Sequence, residues 1–455
     1  MKQRLLDALR AANTDYADIR IDDVDATAFS YRSNELDSTS TGHSIGGIVR
    51  ACHHGGWGSV QFSSLDELPQ RVAEACQAAR LVGKETTLLA DVDVPADLTF
   101  PATFVHDFRG IPFEEKLAII REYNDLLRTA VPGVQSTVAS YSESMRTTWF
   151  ASTRGNCFME ERPRITLLLA AIAREGSLVQ HAFRSLSSAT DFDLVRNRHD
   201  LARELAEQSV RLLKAPQCPS GKYTVILDNS MTGLFTHEAF GHLSEADFLH
   251  ENKDMRELMQ IGRVMGNSDL NITDDGARGT LIGTHRLDDE GTPTRRTELI
   301  RNGVLAGHLH SLETAARMGE QPTGNARAIS YGYAPIVRMT NTFIEPGALS
   351  REQLFRDVDD GIYVCGGLGG QTMQEMFTFT ASHGFRIRHG QPAELLRDVT
   401  LTGNVFQTLH DIDGIADDLV IHETGGGCGK GGQSPLPVTD GGPHIRIRDV
   451  VIGGR

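Results

Sequence analysis

Two histidines and a glutamate fall within one hexapeptide, His237-Glu238-Ala239-Phe240-Gly241-His242. Imidazole nitrogens are common metal ligands, and a positioned carboxylate can take a proton from water. The hexapeptide resembles the HExxH pattern, in which two histidines at i and i+4 share one helix face and one zinc ion. Here the separation is i to i+5. At about 100° per residue, the second histidine lies roughly 140° around a regular α-helix from the first. The two can share an ion only if the helix is distorted, and Gly241 marks a place for a kink or π-bulge. The acidic residues that follow, Glu245 and Asp247, read as solvated or hydrogen-bonded side chains rather than ligands.

Two histidines do not complete a catalytic zinc site, which usually has three protein ligands and one open position. Near the C-terminus the chain runs Gly425-Gly426-Gly427-Cys428-Gly429-Lys430-Gly431-Gly432-Gln433. Flanking glycines let backbone approach closely, and a thiolate is a good zinc ligand. Cys428 taken alone reads more readily as a small buried thiol in a flexible loop than as a ligand. His422-Glu423, just upstream, is a rival ligand source, although His422 follows the strand-like run DDLVI and could be an ordinary strand residue.

The chain that must position these groups has 455 residues, a soft prior for about two to four domains. Apolar residues make up 40% and charged residues 23%, the balance of an ordinary globular protein. The net charge of −15 opposes nucleic acid over most of the surface. No run approaches the roughly 18 apolar residues of a membrane span, and the N-terminus lacks a signal-like apolar core. The expectation is a cytoplasmic protein. The six cysteines form no CxxC pair and read as free thiols.

The first half alternates helix and strand patterns. Helices are expected over residues 1–12, 65–83, 113–130 and 200–214, and strands near 28–32, 44–50, 134–150 and 164–172. A hairpin is expected around His53-His54-Gly55-Gly56, and a loop over 90–103. The segment APQCPSG, with two prolines and a glycine, reads as a linker. The second half is richer in glycine and β-like runs. A short strand is expected at Thr224–Leu227, then a helix carrying the histidines with Asn229 or Ser230 as N-cap. Asn302-Gly303 marks a hairpin. The resulting fold class is α+β: an N-terminal α/β domain over 1–215, then a β-rich C-terminal domain over 216–455 carrying the metal-binding helix.

Further blocks follow in order: Asp288-Asp289-Glu290-Gly291-Thr292-Pro293, Pro322-Thr323-Gly324-Asn325-Ala326-Arg327, Arg338-Met339-Thr340-Asn341-Thr342, and the glycine-rich GGGCGKGGQSPLPV. Together with HEAFGHLSEAD they resemble the TldD half of the TldD/PmbA family across about residues 224–455. The resemblance implies a zinc metallopeptidase acting on unfolded or flexible peptides, by trimming leader sequences or degrading small unfolded proteins. Its implied ligands are His237, His242 and Cys428, with Glu238 as catalytic base. It also implies peptide binding by β-strand addition and a dimer with an identical or a TldE/PmbA-like subunit. Phe240 and Leu243-Ser244 depart from the smaller or glycine-containing residues expected there.

Three other readings compete. A non-catalytic partner or regulatory subunit would lack HEAFGH. A nucleic-acid-binding regulator would need a basic stripe, which the scattered Lys and Arg do not supply. A zinc deaminase would need a P-C-x-x-C segment, which is absent.

Overall fold

Helix α1 (Lys2–Leu9) turns Leu5, Ala8 and Leu9 inward at helical spacing. An antiparallel meander follows: β1 (Tyr16–Arg32), β2 (Glu35–His53) and β3 (Gly56–Phe62). The turn between β2 and β3 places His54 at φ 48° and Gly55 at φ 73°, the two positive angles of a type I′ hairpin. The computed structural model describes residues 1–453.

Next come α2 (Leu68–Val82), β4 (Asp97–Phe100), α3 (Phe113–Thr129), β5 (Val134–Ser152), β6 (Cys157–Glu175), β7 (Leu178–Ser188) and α4 (His199–Lys214). All these strands form one seven-stranded sheet, ordered β3-β2-β1-β5-β6-β4, with β7 also on β6. β4 lies inside the stretch expected to be loop. It is strand only because it pairs in parallel with the edge of β6, a long-range contact with no local signal. The sheet is long enough to carry two cores. One end buries Ile19, Ile21 and Val49 under α1 and α2, and the other buries Phe29, Tyr141 and Leu167 under α3 and α4.

The chain then enters β8 (Gly221–Leu227). β8 pairs with strands Asp360–Met373 and Ile445–Ile452. Strand Thr400–Asn404 pairs with Ile445–Ile452 and with Met376–Arg388, which returns to pair with Asp360–Met373. The pairings close a ring, which removes exposed strand edges along most of its length. A second, six-stranded sheet runs Val304–Leu305, Arg296–Arg301, Ile272–Asp275, Asn341–Ile344, Thr439–Gly442, Val420–His422. The expected Asn302-Gly303 hairpin joins its first two strands, with φ of 50° and 74°.

Asp288-Asp289-Glu290 ties the two halves together. Arg20 and Arg162 reach Asp289, each at 3.3 Å, and Arg50 reaches Glu290 at 3.0 Å. The Arg20–Asp289 and Arg50–Glu290 pairs are almost fully enclosed, so removing Arg50 would leave a buried uncompensated charge, typically costing about 3–5 kcal/mol.

Candidate metal centre

Leaving β8, the chain enters α5 (Asn229–Phe235) with Asp228 as its N-cap; the carboxylate accepts from the Met231 N–H at 2.7 Å. Asp228, still extended at φ −73° and ψ 171°, takes the place expected for Asn229 or Ser230. The Asn229 amide instead donates to the carbonyls of Asp418 and Gly442, at 2.7 and 2.9 Å. Met231, Phe235, Ala239 and Phe240 anchor the helix in the C-terminal core. Phe240 is fully buried there, so it sets the seating of the helix rather than the shape of a cleft.

From Thr236 to Gly241 the helix widens into a π-helical turn. The His242 N–H donates to the His237 carbonyl, the i→i+5 bond that stacks one residue a turn above the other. The distortion demanded by the five-residue spacing is therefore present. The two imidazoles face each other with ring centroids 5.2 Å apart. Gly241 is itself helical, at φ −57°, and supplies no unusual torsion. It is glycine because Met339 packs on it: a Cβ there would stand 2.1 Å from the Met339 sulfur.

Cys428 opens a short hairpin, Cys428–Lys430 with Gln433–Leu436, turned by Gly431 and Gly432 at φ 57° and 75°. Arg338, fully buried, donates to the Cys428 carbonyl at 2.7 Å and the Gln433 carbonyl at 3.2 Å, fixing the hairpin from below. The ligating atoms of His237, His242 and Cys428 all lie within 4.8 Å of one another. Cys428 Sγ is 3.3 Å from His242 Nε2. In tetrahedral zinc, a sulfur and a nitrogen ligand stand about 3.6 Å apart, so the pair is close to ligating separation.

The surroundings suit a cation. Burial alone would push the Cys428 thiol up, but the facing imidazoles of His237 and His242 pull it down to about 5. His237 Nδ1 is enclosed and has no hydrogen-bond partner among the described residues. Two imidazoles and an acidic thiol form a donor set that zinc favours. On the far side of His242, Nδ1 is 2.9 Å from Glu245 Oε2, and Lys430 Nζ reaches the same oxygen at 2.9 Å. Glu245 is 1% exposed. Burial would raise its carboxyl, but His242 and Lys430 hold it down to about 2. A carboxylate behind a ligating histidine fixes the tautomer and aims the other nitrogen.

Glu238 sits beside these donors rather than among them. Its Oε2 is 3.9 Å from His242 Nε2, and its side chain is 24% exposed. Thr372 Oγ1 donates to the Glu238 carbonyl at 2.7 Å, pinning this turn to strand Asp360–Met373. His422 does not join the group: it stands on its strand opposite Asp440. Sequence reasoning did not single out Lys430, Arg338 or Met339, and it gave Glu245 no role at the histidines. For Glu245 a signal existed, because it stands three residues after His242 and the two can meet on one helical face. The other three are brought in by strands distant in sequence.

Sequence blocks of unassigned role act as braces. Asp274 accepts from Thr340, Thr342 and Asn325, and Asp288 from the amides of Glu290, Thr292 and Ala326. The DDEGTP, PTGNAR and MTNT segments are thus braced together, and Asn325, which donates to the Arg338 carbonyl, links them to the residue that holds the Cys428 hairpin.

His237, His242 and Cys428 thus form a cluster able to hold a metal ion, carried by a β-rich C-terminal half. The PmbA/TldA metallopeptidase C-terminal domain profile matches residues 220–454, the central-domain profile 106–213 and the domain 1 profile 17–81. A metalloprotease of Synechocystis is 44% identical over 97% of this chain and 96% of its own length. A zinc metalloprotease TldD homolog of Saccharolobus solfataricus is 32% identical, covering 75% of this chain and 76% of its own. Among solved structures, TldE from Thermococcus kodakarensis superposes with a TM-score of 0.73 over 100% of both chains at 19% identity. The chain belongs to the PmbA/TldD metallopeptidase family.

Proposed function

We propose that the chain is a zinc-dependent peptidase for unfolded or flexible peptides, with His237, His242 and Cys428 holding the ion and Glu238 serving as general base. The observation that carries the reading is the convergence of those three donors across the π-helical turn, with a solvent-accessible carboxylate alongside. A zinc ion held there would act as a Lewis acid on the scissile carbonyl and acidify water. Glu238 takes the proton of the attacking water and returns it to the leaving amine. Glu245 and Lys430 keep His242 oriented, and Arg338 keeps the cysteine hairpin in register with the helix.

Strand addition supplies the substrate mode. Between Gly369 and Met373, strand Asp360–Met373 pairs with Met376–Arg388 on one side only. Gly369 and Gly370 present no side chains to an incoming backbone, and Thr372 links this edge to Glu238. An extended peptide could add there by main-chain hydrogen bonds. The cytoplasm is the proposed location; no described helix is long and apolar enough to cross a membrane. A dimer with an identical or TldE-like subunit is the proposed assembly, supported by the TldE fold likeness.

The test is incubation of zinc-loaded protein with an unstructured peptide, read by mass spectrometry, with and without a chelator and with zinc restored. Cleavage that stops with the chelator and returns with zinc supports the reading. Cleavage indifferent to metal would overturn it. No cleavage, alone or with a co-purified TldE-like chain, would favour the non-catalytic subunit.

A further inference from the structure

A second set of metal-ligating side chains converges away from this centre. His308 and His310 stand two residues apart in an extended segment, so both side chains face the same way. Glu320 comes from the chain just past helix Leu312–Met318, where Gly319 turns it back at φ 71°. Both histidines are buried, at 3% and 1% exposure. Their ligating nitrogens and a Glu320 oxygen lie within 4.8 Å of one another.

The hydrogen-bond pattern fixes which nitrogens face inward. His308 Nε2 is 2.9 Å from the Met259 carbonyl, which can only accept, so Nε2 carries the proton. In the neutral ring Nδ1 is then a bare lone pair, and it faces the Glu320 carboxylate at 2.9 and 3.2 Å. His310 repeats the arrangement. Its Nδ1 is 3.1 Å from Thr314 Oγ1, which also accepts from the Ser311 N–H and has Ser311 Oγ as a partner for its own proton. With Nδ1 donating, His310 Nε2 is the bare nitrogen. It is 3.1 Å from Glu320 Oε2, yet it is not aligned for a hydrogen bond and has no other partner.

With both rings neutral, two imidazole lone pairs and an anionic carboxylate point at one volume without a donor between them. Glu320 has no ion-pair contact with Lys or Arg among the described residues; its two close partners are these histidines. The gap calls for a cation. In tetrahedral zinc, nitrogen and oxygen ligands stand about 3.4 Å apart, a few tenths of an ångström beyond the spacings here. A backbone carbonyl behind one ring and a hydroxyl behind the other are the partners that ligating histidines use to hold their tautomer. The cluster opens on a groove of ≈ 450 Å³, which leaves a direction for a fourth, exchangeable ligand.

We propose that His308 Nδ1, His310 Nε2 and Glu320 form a second divalent-metal site of zinc type, separate from the His237–His242–Cys428 centre. Its position fastens the end of helix Leu312–Met318 to the segment before it. That helix carries Glu313, which accepts from Trp57 Nε1 at 2.9 Å, so the site also steadies a contact between the two halves.

Metal content and cobalt spectra test this. Purified protein saturated with zinc and dialysed should hold about two ions per chain in the wild type and about one in Glu320→Gln and in Cys428→Ser. Cobalt then separates the sites, because only the cysteine centre yields thiolate-to-cobalt charge-transfer absorption. Cys428→Ser should keep a cobalt d–d spectrum without that band, and Glu320→Gln added to Cys428→Ser should abolish it. Circular dichroism of each variant checks folding. If Glu320→Gln does not fold, the cobalt titration of Cys428→Ser alone decides, with His310→Gln as the second variant. A single zinc in the wild type, or a Cys428→Ser cobalt spectrum unchanged by Glu320→Gln, would overturn the proposal. Absence of the thiolate band in the wild type would strike the first centre and leave this one standing.

Discussion

His242 Nδ1 and Glu245 Oε2 stand 2.9 Å apart across one turn of distorted helix. The glutamate is almost fully enclosed, and its charge is balanced by His242 on one side and Lys430 on the other. Such a carboxylate cannot be a spectator of surface electrostatics. It commits the ring to presenting Nε2 towards Cys428. Glu245→Gln should leave the fold intact and weaken zinc binding roughly 10–100-fold, the usual effect of losing an outer-shell partner. Competition against a chelator of known affinity measures it. Unchanged affinity would remove Glu245 from the metal centre.

Glu238 should behave in the opposite way. Glu238→Gln preserves size and leaves the three donors untouched, so zinc content should equal wild type. Turnover on a flexible peptide should fall by about 10²–10⁴, the contribution of a positioned general base. Near-wild-type turnover in zinc-loaded Glu238→Gln would reject the assignment.

Gly241 makes a packing prediction. An alanine Cβ would lie 2.1 Å from the Met339 sulfur, and Met339 is fully buried. Gly241→Ala should cost about 1–3 kcal/mol through overpacking and should displace the helix that carries both histidines. Met339→Ala opens space at the same spot. The double variant should therefore be more stable than the sum of the two singles, in a cycle read by chemical denaturation. Strict additivity would show that the two residues do not share that space.

Glu423 contributes to the pH dependence of stability. Burial pushes its carboxyl from 4.5 up to about 7, although the Ile282 N–H it accepts works the other way. Below about 4.5 the group is protonated in folded and unfolded chains alike, and its contribution is fully present. Between 4.5 and about 7 the unfolded chain releases the proton while the folded chain keeps it, so stability falls as pH rises and levels off above that range. Glu423→Gln cannot ionise and keeps an acceptor for Ile282. Its melting temperature should decline less between pH 5 and pH 8 than that of wild type. Parallel profiles would show that Glu423 does not titrate in this window.

Much of this was legible in the residues, for reasons that are local. The helices expected near 65–83, 113–130 and 200–214 appear as Leu68–Val82, Phe113–Thr129 and His199–Lys214, because each carries an amphipathic 3.6-residue period. The His54-Gly55 and Asn302-Gly303 turns were readable because few residues tolerate paired positive φ. The five-residue histidine spacing by itself implies a kinked or widened helix, since a regular one cannot bring both rings together. What stayed hidden depends on distant chain. β4 needs its partner β6, and the N-cap falls on Asp228 because β8 ends there. Met339 behind Gly241, Lys430 behind Glu245 and Arg338 under Cys428 lie far along the chain from what they support. No periodicity encodes such meetings.

Cys428 stands 186 residues beyond His242. A ribosome that has finished the motif helix still has most of the second half to make. Until the late hairpin arrives, the two imidazoles lack their thiol, and Glu238 has no complete centre to serve. For the proposed peptidase of unfolded chains, activity before folding is complete would endanger neighbouring nascent chains and the enzyme itself. Splitting the proposed donor set across the length of the chain would make competence coincide with completed folding, a delay written into the order of synthesis.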